Sequence, residues 1–173
     1  MPVPIAPTAA VAGQAARAGV QFNNLTAQVA FLLDPPSVFV YQTVSQSTAS
    51  GVVTSITMDA SAVDSDNVHS NVTNPSRLTI VTAGRYRIVA QLLWNANATG
   101  YRAVKLLKNG VIFCTNQTVT NGSQLGYMQV CDEIICAVGD YLELAGVQTS
   151  GGALTTGGGS DSTFIKARWA GIS

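Results

Sequence analysis

A chain of 173 residues with a single histidine has few routes to acid–base or metal chemistry. His69 lies in a polar stretch with Asp64 and Asp66, and Asp59 stands a few residues earlier. Hard carboxylate oxygens there would suit calcium, and His69 would add a ligand for a softer metal. The spacing is not that of an EF-hand loop, and a plain solvated loop is the alternative. A Ser/His/acid triad would have to form around this one loop histidine. Glycoside hydrolysis needs two close carboxylates in a groove, and the nine acidic residues fall mostly in turn-like segments. The cysteines, Cys114, Cys131 and Cys136, are odd in number, which does not suggest a disulfide framework. On one strand Cys131 and Cys136 would stand roughly 16 Å apart, beyond disulfide reach. Cys114 and Cys131 would face each other if a hairpin turned near Gly122; buried free thiols are the other reading. We therefore expect no catalytic residues, no cofactor and no metal, hence no enzyme.

Composition narrows the remaining classes. Nine basic and nine acidic residues cancel, and only 10% of the chain is charged. Polarity comes instead from 51 Thr, Ser, Asn and Gln side chains. Nucleic-acid binding by phosphate neutralisation needs a basic excess, so no nucleic-acid partner is expected. No stretch of 18 apolar residues exists to insert in a membrane. Met1-Pro2-Val3-Pro4-Ile5-Ala6-Pro7 has no basic lead and breaks its apolar run with prolines, so a secretory signal is not expected.

Two regions follow from pattern. Residues 1–12 read as an extended arm. Ala15, Ala18, Phe22, Leu25, Val29 and Leu32 then recur at alternating spacings of three and four, an a/d seam over nearly three heptads. Asp34-Pro35-Pro36 stops it, because the residue before proline is pushed out of the helical region. The spacing predicts a helix over Gly13–Leu33. Its seam is buried either on its own domain or in a short oligomeric coiled coil through Phe22, Leu25, Val29 and Leu32. We place an arm and helical anchor at 1–36 and a head domain at 37–173.

From Ser37 onward the chain is β-patterned. Tyr86, Ile88, Ala90, Leu92 and Trp94 alternate with Arg85, Arg87, Val89, Gln91 and Leu93. The first set reads as core. Val89 and Leu93 are apolar on the other face, which makes them candidates for an oligomer interface. Trp94 and Trp169 read as packing residues. Arg85, Arg87 and Arg102 are either exposed charges that guard strand edges or cross-subunit partners of Asp132, Glu133 or Glu143. Asn109-Gly110 between apolar runs predicts a tight hairpin, and Asn121-Gly122 starts another reversal. The glycine-rich segment 149–161 reads as a loop. Eight or more short strands predict an all-β, antiparallel jelly-roll sandwich with a short N-terminal helix and arm.

Four stretches carry a family likeness. Gly84-Arg85-Tyr86-Arg87-Ile88 resembles the G-x-Y-x-F strand of the tumour-necrosis-factor-like jelly roll, in its complement-type globular-head branch. Leu106-Leu107-Lys108-Asn109-Gly110 resembles that branch's L-x-K-N-G hairpin. Ala137 to Leu144 resembles its G-D turn and strand, and Ser162-Thr163-Phe164-Ile165 its closing strand, with Lys166 replacing the usual glycine. With the helix ending at Leu32-Leu33-Asp34-Pro35-Pro36, the layout resembles bacterial and bacteriophage proteins similar to virion tail or head-fibre components. The resemblance implies a homotrimer without enzymatic activity. It also implies a location in the virion, attached to capsid or tail proteins through residues 1–36 and displaying the head, with a host-surface glycan as an additional partner. A soluble bacterial trimeric binding module is the alternative.

Overall fold

A computed structural model describes residues 9–120 and 124–172. The chain divides into two compact units, Met1–Pro35 and Pro36–Ser173. The first contains α1 (Ala9–Leu33). The helix starts before the expected Gly13, since Ala9-Ala10-Val11-Ala12 holds three residues of the highest helix propensity. What is left of the expected arm, residues 1–8, lies outside the described residues. The stop falls at Asp34 as expected, whose N–H still closes onto the Ala30 carbonyl.

The second unit is two packed antiparallel sheets. One contains β1 (Ser37–Tyr41), β2 (Ser47–Thr48), β4 (Ala60–Asp64), β6 (Gly84–Trp94), β9 (Gly126–Cys136), β11 (Leu154–Gly157) and β12 (Phe164–Gly171). The other contains β3 (Thr54–Ser55), β5 (Arg77–Thr79), β7 (Tyr101–Lys108), β8 (Val111–Val119) and β10 (Tyr141–Gln148). β6 is central to the first sheet. β9 pairs along its whole length on one side, and β12 followed by β11 on the other. This is the jelly-roll sandwich that the pattern predicts.

Between the sheets lie Val40, Ile56, Met58, Leu78, Ile88, Ala90, Leu92, Trp94, Val104, Leu106, Leu142, Leu144 and Ile165, all buried. Each sheet contributes one side-chain face because successive residues alternate. Trp94 and Trp169 are buried too, as expected of packing residues. The indole of Trp94 reaches across the sandwich to Gly146, where an added Cβ would stand 2.6 Å from both its Cζ2 and Leu92 Cδ2.

Two strand assignments differ from the pattern. Segment 149–161 is not all loop, because Leu154 to Gly157 pairs with both β2 and β6. The Thr156 hydroxyl fixes this strand by donating to the buried Gln42 Oε1 at 2.6 Å. β8 and β9 do not form a hairpin, since they join different sheets. Cys114 and Cys131 therefore face each other only across the open edge of the sandwich, with Cys114 Sγ 4.0 Å from the Cys131 carbonyl oxygen. All three cysteines are free; Cys136 alone is buried, Cys114 is half-buried and Cys131 exposed. A packing role holds for Cys136 and not for Cys131.

The hairpin and turn motifs form one unit. Asn109 and Gly110 adopt positive φ values of 51° and 77°, as a type I′ turn requires. Asn109 N–H donates to the Tyr141 carbonyl, and its side-chain oxygen accepts from Tyr141 N–H at 2.9 Å. Its amide nitrogen donates to Asp140 at 2.7 Å, and Lys108 Nζ lies 2.8 Å from the same carboxylate. These contacts hold the Asp140 carboxyl at about 2, by the Lys108 and Asn109 side chains first and the Ala137 N–H next. The K-N-G and G-D stretches thus pin β7–β8 to β10.

Candidate functional site

The acids read as candidate metal ligands are committed to loops. Asp59 accepts from the Thr43 N–H and hydroxyl and the Val44 N–H. Despite partial burial, these donors hold its carboxyl below the usual range. Asp64 accepts from the Val68 and His69 N–H groups, and Asp66 from the Thr82 hydroxyl. Both ring nitrogens of His69 face backbone carbonyls, those of Arg77 at 3.0 Å and Met58 at 3.1 Å. Among the described residues no three His, Cys, Asp or Glu side chains converge as a metal would require. Among them, too, no helix is long and apolar enough to cross a membrane.

The arginines divide. Arg87 pairs with Glu133 on the neighbouring strand, and Glu143 with Arg77 at 3.7 Å and the Ser76 hydroxyl at 2.8 Å. Glu133 and Glu143 therefore have partners within the chain. Arg102 is not an exposed edge charge. It is 2% exposed, and its guanidinium donates to the carbonyls of Asn97, Thr99 and Tyr101. It clamps the loop between β6 and β7, a role that its strand-like context concealed.

Two apolar surfaces are exposed. On α1, Phe22 is 70% exposed, with Leu25, Val29 and Leu32 also open. Within the helical unit, the residues expected to form a coiled-coil seam are exposed. On the head, the outer face of the seven-stranded sheet exposes Val89 and Val63. Leu93 does not join them. It is 6% exposed, because Gly157 of β11 packs so close that an added Cβ would lie 2.5 Å from Leu93 Cδ2. Alternation puts both residues on one face, but only Val89 is left uncovered.

Around Val89 lies an open hollow of about 320 Å³, lined by Phe39, Val63, Val89, Arg87, Lys166 and Arg168 among others. Lys166 Nζ sits 4.1 Å from the Phe39 ring centroid and 4.9 Å from that of Phe164, a cation–π arrangement. Lys166, where the family pattern has glycine, therefore continues the strand and adds a cation to the face.

The head's architecture can now be set beside solved structures. It superposes on murine APRIL with a TM-score of 0.62 at 11% identity, over 78% of this chain and 98% of that one. The globular domain of zebrafish complement 1qA gives 0.58 at 11% identity, over 80% and 99%. Eiger TNF from S. frugiperda gives 0.61 at 10% identity, over 80% and 95%. The head has the tumour-necrosis-factor/complement-type fold. At these identities the likeness is one of fold alone. No family model and no curated protein sequence matches the chain.

Proposed function

We propose that the chain is a non-enzymatic structural protein of a bacteriophage virion. In this reading it is a homotrimer whose jelly-roll head is displayed from the capsid or tail by the helical anchor within residues 1–36. The observation that carries it is the exposed seam of α1. A 25-residue helix gains most of its stability from packing an apolar face rather than from propensity. Phe22, Leu25, Val29 and Leu32 form an apolar stripe left open within the helical unit, and in this reading sister helices or a host particle cover it. The head supplies its own core and needs no such cover. A face displayed from a particle also suits adhesion to a host-surface glycan.

The head's likeness to the Eiger TNF and complement 1qA structures favours a second reading, a soluble bacterial trimeric binding module. Removing residues 1–33 separates the two. Under the virion reading, the truncated chain keeps its β circular-dichroism spectrum and falls below wild type by at least about tenfold in incorporation into particles. Incorporation at the wild-type level would move the attachment to the head, and no incorporation of the full chain would leave the soluble module.

A further inference from the structure

Arg102 is buried in the head without a counter-charge. It is 2% exposed and continues the inward alternation of Val104 and Leu106 on β7. Its strand neighbours are Thr118 on β8 and Gln148 on β10. Burying a charge costs free energy unless an opposite charge stands near it. Glu143, the other buried charged side chain among the described residues, meets that need with Arg77. Arg102 has only neutral carbonyls as partners.

The acids of the head are engaged elsewhere. Asp59, Asp64 and Asp66 accept from loop donors, Asp161 from the Ser162 hydroxyl. Asp140 pairs with Lys108 and Glu133 with Arg87. Asp132 stands by the Cys114 thiol, and Cys114 lies roughly 13 Å along β8 from Thr118. Burial therefore pushes the Arg102 guanidinium down with no carboxylate to hold it up.

A guanidinium has five N–H donors. The Thr99 and Tyr101 carbonyls take two from Nη1, and the Asn97 carbonyl takes one from Nη2. Nε–H and the second Nη2 hydrogen have no acceptor among the described residues. Two donors are what a bidentate carboxylate takes.

Arg102 also lines an open hollow of about 290 Å³, with Thr118, Thr120, Leu125, Tyr127 and Met128 among its neighbours. Small-molecule sites begin at roughly 300 Å³. The Thr118 and Thr120 hydroxyls donate to the Val119 and Gly100 carbonyls, which leaves their oxygens free to accept from a ligand's hydroxyls. Leu125 and Tyr127 are exposed and offer apolar surface to a C–H face. A buried cation, hydroxyl acceptors and exposed apolar groups together match a sugar that carries a carboxylate.

We propose that this hollow binds an acidic sugar, with its carboxylate on Arg102 and its hydroxyls on Thr118 and Thr120. The inference rests on the glycan part of the proposed function and names the class of glycan.

Titrating the full chain with glucuronic acid and with glucose, followed by nuclear magnetic resonance, tests it. Backbone amide signals should move at Thr118, Thr120 and Leu125 to Met128. Glucuronate should bind at least about tenfold more tightly than glucose, the worth of one charge-assisted hydrogen bond. Arg102→Met should abolish that preference, with circular dichroism reporting whether the β spectrum is kept. Thr118→Val, at an exposed position, should weaken glucuronate about threefold and decides the matter if Arg102→Met fails to fold. Equal affinity for the two sugars, shifts confined to other parts of the head, or acetate or sulfate binding as tightly as glucuronate would each overturn the proposal. Particles that adhere to host cells and are released by neutral sugars alone would sink it and leave the glycan reading standing. Adhesion that survives removal of surface glycans would sink both.

Discussion

Leu25 and Leu144 are the same side chain in opposite situations. Leu144 lies in β10 at 0% exposure, closed in by two sheets of its own chain; Leu25 lies on α1 at 58%. An apolar group stabilises by the area it removes from water, about 25 cal/mol per Å². Leu144 removes that area when the two sheets pack, whereas Leu25 removes it only when a further surface covers the helix. The difference teaches that the stability of the head and, in the proposed reading, assembly through the helix are separable properties written in different residues.

The strongest way to break that separation acts in the core. Leu144→Ala should destabilise the head by about 2–5 kcal/mol, from lost transfer energy plus the cavity left behind. Urea denaturation followed by tryptophan fluorescence reports it, since Trp94 is buried in the same core. A loss under about 1 kcal/mol would mean that the two sheets are less tightly packed than described.

A smaller effect comes from the lock between the two turns. The Asp140 carboxyl titrates at about 2 in the fold, against about 3.9 in an unfolded chain. Its folded value is depressed, so its contribution is fully present above about pH 4 and is lost as pH falls through about 2. The pair is near the surface, so screening limits the contribution to about 1 kcal/mol. Urea midpoints measured from pH 5 to pH 2 should fall more steeply for wild type than for Asp140→Asn; parallel profiles would locate the acid sensitivity elsewhere.

The smallest change in head stability belongs to the helix. Leu25→Ser should move the head's urea midpoint by no more than the equivalent of about 0.5 kcal/mol, as for a surface site, while reducing oligomer mass in light scattering. A large shift in head unfolding would show that the head depends on assembly after all.

Much of this was legible in the sequence, and the gaps have identifiable causes. The alternation through Tyr86, Ile88, Ala90, Leu92 and Trp94 gave a correct core face because a half-exposed strand has period two. Asn109-Gly110 announced its turn through the positive φ that both positions need. Pairing partners left no such trace. Val111–Val119 and Gly126–Cys136 look like a hairpin because they are adjacent in sequence, and periodicity does not say which sheet a strand enters. The burial of Leu93 left no trace for the same reason, since the strand that covers it comes from a segment whose glycines imitate a loop. Arg102 and the loop aspartates are invisible at that level because their partners are backbone carbonyls and N–H groups, which every sequence has. Of the expected interface positions, Phe22, Leu25, Val29, Leu32 and Val89 are exposed, whereas Leu93 is not.

The pairing of the first strand of the head with the last has a consequence during synthesis. Ser37 to Tyr41 needs Phe164 to Arg168 as its ladder partner, so the seven-stranded sheet cannot close until the chain through Arg168 has left the ribosome. Roughly 130 residues separate them, about 6–26 s at 5–20 residues per second. α1 emerges before any of this, its seam already complete while the head is still unpaired strands. Neighbouring nascent chains on one message therefore have an interval in which their helices can meet first. Assembly begun that way would bring sister heads together as they fold, and would leave a head truncated before Phe164 tethered but open.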